Sequence, residues 1–242
     1  MDSRYPDALR LPSSIGCVQE YLQGRRLFRT LPDDVLKEIA VAIRERSYLK
    51  GHHLYYAGDT LSYVFIIRSG LVVMTELDRR GNHRAPITFG PGDVLGLATA
   101  TLDNRWTWTA TAVVTTDVFL VPIETFLSLY TRSPQFAHQI ASELSRLVLR
   151  SEQATVRFAQ TPIASRVASF LLEYSNWTPA QQRKPLCFDL PLSHQDMSLV
   201  LGTSRETVTR ILARLCRAKL IAVDGQQVLI LQPEALHSLA EG

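Results

Sequence analysis

Arg205, Glu206 and Arg210 are three side chains with complementary base-reading chemistry, set close together in a 242-residue chain. A guanidinium can grip guanine O6 and N7 with two parallel hydrogen bonds, and a carboxylate can accept from cytosine N4. At ~100° per residue the trio spans an arc of about 140° on a helix, so it would present one face to a G·C-containing groove. From Thr203 to Ile221 there are five Lys/Arg and one Glu, the local positive charge that a phosphate backbone attracts. The plainer alternative is a surface helix with solvated charges.

The flanking residues favour the first reading, because they supply what such a helix needs to be held in place. Ser193 can cap a helix with Asp196 at its third position closing a capping box. Gly202 stops that helix after two turns, and Thr203 or Ser204 caps a second one running through Leu215 and Leu220. Met197, Val200, Leu201, Val208, Ile211 and Leu212 would pack between them. This is a helix-turn-helix pattern, in which the second helix enters a major groove.

The rest of the chain divides into three further parts, for an α+β protein overall. Residues 1–24 carry Pro6, Pro12 and Gly16 with little periodicity and are expected to form a loose arm. Over 25–132 a short helix, Asp33 to Arg44, precedes short apolar runs split by turn residues. These runs are His53–Tyr56, Tyr63–Arg68, Leu71–Leu77, Ala85–Phe89, Val94–Leu97, Trp106–Val114 and Val118–Pro122, an antiparallel sandwich or barrel pattern. Glu76 to His83, with Gly81-Asn82 at its tip, reads as a hairpin loop. A short helix follows from Ile123 to Tyr130. Over 133–160 a long helix places Ile140, Leu144, Leu147, Ser151, Ala154 and Phe158 at spacings of 4 and 3, the seam of a coiled-coil dimer. The alternative is an amphipathic helix lying on its own domain. Residues 161–242 begin with a helix, Ile163 to Tyr174, and a polar loop, Asn176 to Pro185, before the helix-turn-helix.

Composition narrows the remaining classes. The chain is 46% hydrophobic and 20% charged with a net charge of +3, which excludes a disordered chain or a collagen-like repeat. No apolar run approaches the ~18–20 residues that span a bilayer, and the first residues lack the basic-then-apolar pattern of an export signal. No membrane association and a cytoplasmic location are therefore expected. Cys17, Cys187 and Cys216 are too scattered for a metal cage. A cupin-type metalloenzyme would need a His-x-His pair on a strand, whereas His52 and His53 are adjacent and would face opposite sides. No spacing supports a nucleophilic triad, so an enzyme is not expected.

The order of sandwich, long helix and helix-turn-helix, with the string Gly202-Thr203-Ser204-Arg205-Glu206-Thr207-Val208-Thr209-Arg210, resembles the Crp–Fnr family of bacterial transcription regulators. Lys50-Gly51, Ala57-Gly58-Asp59, Arg68-Ser69-Gly70 and Pro91-Gly92-Asp93 resemble the turns of that family's cyclic-nucleotide-binding jelly roll. The resemblance covers about residues 25–240 and implies a winged helix-turn-helix homodimer that binds double-stranded DNA and works with RNA polymerase. It implies base-reading roles for Arg205, Glu206 and Arg210, and a TGTGA-like half-site. It implies phosphate-side positions for Ser193, His194, Gln195, Ser204 and Thr207. Whether such a chain activates or represses is not written in these residues.

The effector end departs from the family's cyclic AMP pattern. There the resemblance implies a Gly-Glu pair and, some ten residues on, an Arg-Ser/Thr-Ala triplet. This chain has Gly96-Leu97, and a leucine would leave a buried ribose hydroxyl unpaired. Arg105-Trp106-Thr107 is the nearest counterpart of the triplet, and strand alignment puts Trp106 at the arginine's place. Cyclic AMP is therefore disfavoured. An iron–sulfur cluster would need an N-terminal cysteine group where only Cys17 stands. Haem stays open through His52, His53, His83 or His138, which would make the chain a gas-sensing regulator; Cys17 as a thiol switch also stays open. So does an apolar ligand among Leu95, Gly96, Leu97, Arg105, Trp106, Thr107 and Trp108, or no ligand.

Overall fold

The computed structural model describes residues 9–10, 14–75, 87–102, 104–160, 162–177 and 186–241; for 9–10 and 150–160 the backbone alone is described. The chain forms two compact units, residues 1–76 with 88–151 and residues 77–87 with 152–242. The expected hairpin over Glu76–His83 lies outside the described residues, as does most of the expected loop over Asn176–Pro185.

The first unit starts with a two-residue strand, β1 (Leu9–Arg10), and the helices α1 (Ile15–Gln23) and α2 (Asp33–Ala42). It continues through β2 (Arg44–Tyr48), β3 (His53–Tyr55), β4 (Tyr63–Ser69), β5 (Val72–Thr75), β6 (Ile87–Phe89) and β7 (Val94–Leu95). A short helix α3 (Leu97–Thr101), strands β8 (Thr109–Ala112) and β9 (Thr116–Pro122), and helix α4 (Ile123–Arg132) complete it before the long helix α5 (Pro134–Gln160). The strands form two antiparallel sheets, ordered β1-β2-β9-β4-β7 and β3-β8-β5-β6. Phe65 of the first sheet meets Tyr55 of the second at 5.5 Å between ring centroids, so the core is sandwiched between them.

β4 reads as a continuous apolar run because both of its faces are covered. Helices pack on the outer side: the Tyr21 ring of α1 meets Phe119 edge-on at 5.3 Å, and its hydroxyl donates to Ile67 O at 2.8 Å. This corrects the expected loose arm. Val18 and Leu22, one helical turn apart, are buried, so α1 is an amphipathic helix whose period the nearby Pro12 and Gly16 obscured. The expected helix to Arg44 stops at Ala42, because Arg44–Tyr48 pairs with β9 instead. The apolar run Val94–Leu97 is broken at Gly96, where φ is +100° and α3 begins.

In α5, Phe136, Ile140 and Glu143 point into the first unit and are buried. The Phe136 ring meets Phe126 of α4 at 5.4 Å. Buried Glu143 accepts from Arg26 at 2.8 Å and Arg146 at 3.1 Å, tying the segment after α1 to α5. Ile140, expected in a dimer seam, is therefore a core residue of its own unit. Leu144 and Leu147 are half-buried, and Val148 and Leu149 are each 56% exposed. The side chains of Ser151, Ala154 and Phe158 lie outside the described residues.

The second unit contains α6 (Ile163–Trp177), β10 (Leu186–Asp189), α7 (His194–Leu201), α8 (Arg205–Arg217), β11 (Ile221–Asp224), β12 (Gln227–Ile230) and α9 (Pro233–Glu241). α8 ends at Arg217 rather than continuing to Leu220, with Ala218 capping it and Lys219 at φ +55°. β10, β12 and β11 form a three-stranded antiparallel sheet in that order. β11 and β12 form a hairpin, turning at Gly225; β10 adds an edge that the sequence pattern did not reveal.

Candidate nucleic-acid interface and effector site

The start of α7 is fixed by the expected capping box. Asp196 N donates to Ser193 Oγ at 3.1 Å, and Ser193 N donates back to Asp196 Oδ2 at 2.8 Å. The helix stops at Gly202, whose φ of +58° is left-handed and which no side chain burdens. Ser204 then caps α8, accepting from Thr207 N at 3.2 Å. Between the helices Met197, Val200, Leu201, Val208, Ile211 and Leu212 are all buried. Arg166 of α6 donates to Leu201 O at 3.0 Å, which satisfies a carbonyl at the end of α7.

With that inner face locked, α8 turns Arg205, Glu206 and Arg210 outward, and all three are exposed. Among the described residues neither the Arg205 nor the Arg210 guanidinium has a hydrogen bond or ion pair to another side chain. Such groups are free to bind a ligand without first breaking a protein contact. The Glu206 carboxyl is held below the ordinary carboxylate range by its own backbone N–H at the helix start, then by the Ser204 hydroxyl. Ser193, His194, Gln195 and Ser204 are exposed around this face, and Thr207 is half-buried.

One member of the face was missed in the sequence. Thr209, exposed on α8 between Glu206 and Arg210, donates from Oγ1 to Arg205 O at 3.0 Å. Its Oγ1 also lies 2.8 Å from His194 Nδ1, joining the first residue of α7 to the outer face of α8. Spacing along α8 places Thr209 on that face, but nothing in the sequence marks the contact with a residue fifteen positions earlier.

Two families match in sequence: the cyclic nucleotide-binding domain over residues 45–133 and the Crp-like helix-turn-helix domain over 165–239. The chain is 30% identical over 210 residues to the transcriptional activator protein FnrA of Stutzerimonas stutzeri, covering 87% of this chain and 83% of that protein. The chain belongs to the Crp–Fnr family. It is 26% identical to the fumarate and nitrate reduction regulatory protein of Vibrio cholerae, over 99% of this chain and 97% of that one. Among solved structures, FixK2 from Bradyrhizobium japonicum matches with a TM-score of 0.71 at 25% identity, over 81% of this chain and 96% of that one. As a Crp–Fnr protein, the chain is a DNA-binding transcription regulator and not an enzyme. No helix among the described residues is long and apolar enough to cross a membrane.

In this Crp–Fnr chain the cyclic-nucleotide-binding roll has an interior filled by its own side chains where an effector was considered. Trp106 is only 4% exposed and stacks on Tyr55 with centroids 3.4 Å apart and planes 11° from parallel. Its far edge lies against Gly96, where a Cβ would come within 2.9 Å of the ring. Phe65 closes the cluster edge-on at 5.9 Å from Trp106, and Leu95 and Leu97 are buried. Arg105, by contrast, is exposed and donates to Gly58 O at 3.1 Å; Thr107 is exposed and Trp108 half-buried. The structure thus gathers Gly96 and Trp106 with Tyr55, Phe65 and Leu61, none of which the sequence singled out, and leaves Arg105 and Thr107 outside. The Tyr55 hydroxyl is buried without a hydrogen-bond partner among the described residues, and burial pushes its ionisation well up.

The histidines are placed separately. His53 Nδ1 lies 2.9 Å from Thr111 Oγ1, and burial lowers its proton affinity; His138 is exposed on α5. His83 lies outside the described residues. Cys17 is exposed and accepts from Ser14 Oγ at 3.2 Å. No three His, Cys, Asp or Glu side chains among the described residues gather as a metal site would require.

Proposed function

We propose that the chain reads a palindromic duplex with TGTGA-like half-sites, using Arg205 and Arg210 on guanines and Glu206 on a cytosine. The observation that carries this is the exposed trio on α8 beside an inner face locked by two caps and a buried core. A helix held in place before binding needs no backbone ordering, which leaves the hydrogen bonds of its side chains to discriminate between bases. Ser193, His194, Gln195, Ser204 and Thr207 ring the trio and fit phosphate-side positions, which set register rather than sequence. Relatives named as activators support an activating role exerted through RNA polymerase at a promoter, in the compartment that holds the DNA.

The chain works as a homodimer joined through residues 133–160, because two half-sites one helical turn apart need two reading heads. Half-buried Leu144 and Leu147 and exposed Val148 and Leu149 supply an apolar stripe past the point where α5 leaves its own core. The effector is something other than cyclic AMP: buried Leu97 offers no acceptor for a ribose hydroxyl, and Trp106 occupies the interior with its own ring.

Selection from random duplexes tests the reading directly. Enrichment of paired half-sites carrying those G·C pairs is expected, and enrichment without them overturns the assignment. Light scattering should report a dimer at micromolar concentration, with Leu144→Glu or Leu147→Glu shifting it to monomer and weakening DNA binding. A wild-type monomer overturns the dimer.

A further inference from the structure

The contact between His194 and Thr209 fixes more than a helix packing angle. A threonine hydroxyl has one hydrogen, and here it goes to Arg205 O at 3.0 Å. With that hydrogen on Arg205 O, Thr209 Oγ1 is left to accept across the 2.8 Å to His194 Nδ1, and this assigns the imidazole proton to Nδ1. In the neutral ring Nε2 then carries a lone pair and no hydrogen. His194 is exposed, at the first position of the eight-residue helix α7 and at the rim of the face that displays Arg205, Glu206 and Arg210. A neutral Nε2 turns a lone pair toward an approaching phosphate oxygen. A protonated one turns a charged N–H toward it, in a ring already held in place through Nδ1.

We propose that His194 is a proton-linked contact to the DNA backbone, so that each half-site takes up one proton from solvent as it binds. The step adds a proton at Nε2 and forms an Nε2–H···O–P hydrogen bond; no other bond changes. The inference rests on the DNA-reading face proposed above and adds a regulation to it: affinity that rises as pH falls. The charged groups on the elements packed against α7 do not replace this role. Asp196 on α7 is turned into the capping box with Ser193, and Arg166 of α6 is engaged at Leu201 O, at the helix's other end. On α8 the exposed charged groups of the same face are Arg205, Glu206 and Arg210.

The test uses the full chain and a duplex carrying its selected site, with binding followed by anisotropy from pH 5.5 to 8.5 at constant ionic strength. Affinity should rise by up to about tenfold per pH unit for each half-site across the window where the imidazole titrates. The His194→Gln variant should lose that slope, and His194→Arg should bind tightly and evenly at all pH values. At pH 6 the wild type should show a steeper salt dependence than His194→Gln, by about one counterion per half-site. Nitrogen-15 spectra of the free protein at high pH should show the Nδ1–H tautomer. A flat wild-type profile, a slope that survives in His194→Gln, or an Nε2–H tautomer overturns this inference and leaves the DNA-reading face standing. Loss of sequence-specific binding at every pH overturns both.

Discussion

The outer face of α8 and the interior of the β-roll are both expected to meet ligands, yet they are built in opposite ways. On α8 the charged groups are exposed, the Arg205 and Arg210 guanidinium groups have no side-chain partner among the described residues, and local caps at Ser193, Gly202 and Ser204 hold the backbone under them. In the roll Trp106 is buried, stacked on Tyr55 and pressed against Gly96. The first region is rigid beneath and open above, as a surface that waits for a polyanion should be. The interior of the second is filled by its own aromatic rings. The contrast is between a site left open at the surface and one closed by its own packing.

The sharpest way to break this comparison is to empty the roll. Trp106→Ala removes a ring buried among Tyr55, Phe65 and Gly96, and should cost about 3–5 kcal/mol of stability, because the close-packed surroundings cannot collapse onto the gap. Thermal or denaturant unfolding of the purified variant measures this. Selection from random duplexes with the same variant, at a temperature where it remains folded, should recover the wild-type half-site. A destabilisation below about 1 kcal/mol would mean that the ring stack is not structural. That would reopen the roll interior to an effector.

Next in size are the exposed arginines, where the pattern reverses. Arg205→Ala and Arg210→Ala should each cost about 1–3 kcal/mol of binding to the selected site and relax preference at one guanine. Melting temperature should barely move, since neither guanidinium supports a contact of the fold. Competition binding against duplexes altered at single guanines reads the effect. A variant that loses stability instead of preference would show that α8 uses these groups internally.

How much of this was legible in the sequence follows the same division. The capping box and the glycine stop lie within ten residues and act on their near neighbours, so type and spacing were enough; the same spacing puts Arg205, Glu206 and Arg210 on one exposed face. Strand existence was legible in the roll from apolar runs between turns. β2 was not, because Arg44–Tyr48 is polar on four of five positions and becomes a strand only by pairing with β9. α1 hid behind Pro12 and Gly16. Tyr55 was invisible as a partner of Trp106, since fifty-one positions separate residues that the fold stacks face to face. Nor could spacing tell that Ile140, in register with a coiled-coil seam, is claimed by its own unit beside Phe136.

A smaller effect is expected where the rigid base of α7 is loosened. Ser193→Ala removes the acceptor for Asp196 N and should cost about 0.5–2 kcal/mol of stability in the second unit. Half-site preference should persist, because the trio stands on α8 and keeps its own cap at Ser204. Unfolding curves and a repeat selection separate the two outcomes, and a changed half-site would mean that α7 takes part in sequence choice.

Glu206 should give the smallest change in affinity and the most telling one in kind. Its carboxyl lies below the ordinary range because its own backbone N–H, the Ser204 hydroxyl and then the Arg205 charge favour the ionised form, against a small opposing effect of burial. A depressed carboxyl supports the first turn of α8 above its unfolded value and loses that support as pH falls through the folded one. Acid should therefore weaken the start of α8 slightly in the wild type and not in Glu206→Gln. That loss lies on the acid side of the ordinary carboxylate range. At neutral pH an acid on this face repels every phosphate alike but accepts a hydrogen bond only from a base amino group, such as cytosine N4. Glu206→Ala should then bind non-preferred duplexes as well as or better than the wild type, while the ratio between preferred and cytosine-altered sites falls. Parallel titrations of both duplexes decide it. If the ratio is unchanged, Glu206 serves as a helix-start anion alone, and the reading face reduces to its two arginines.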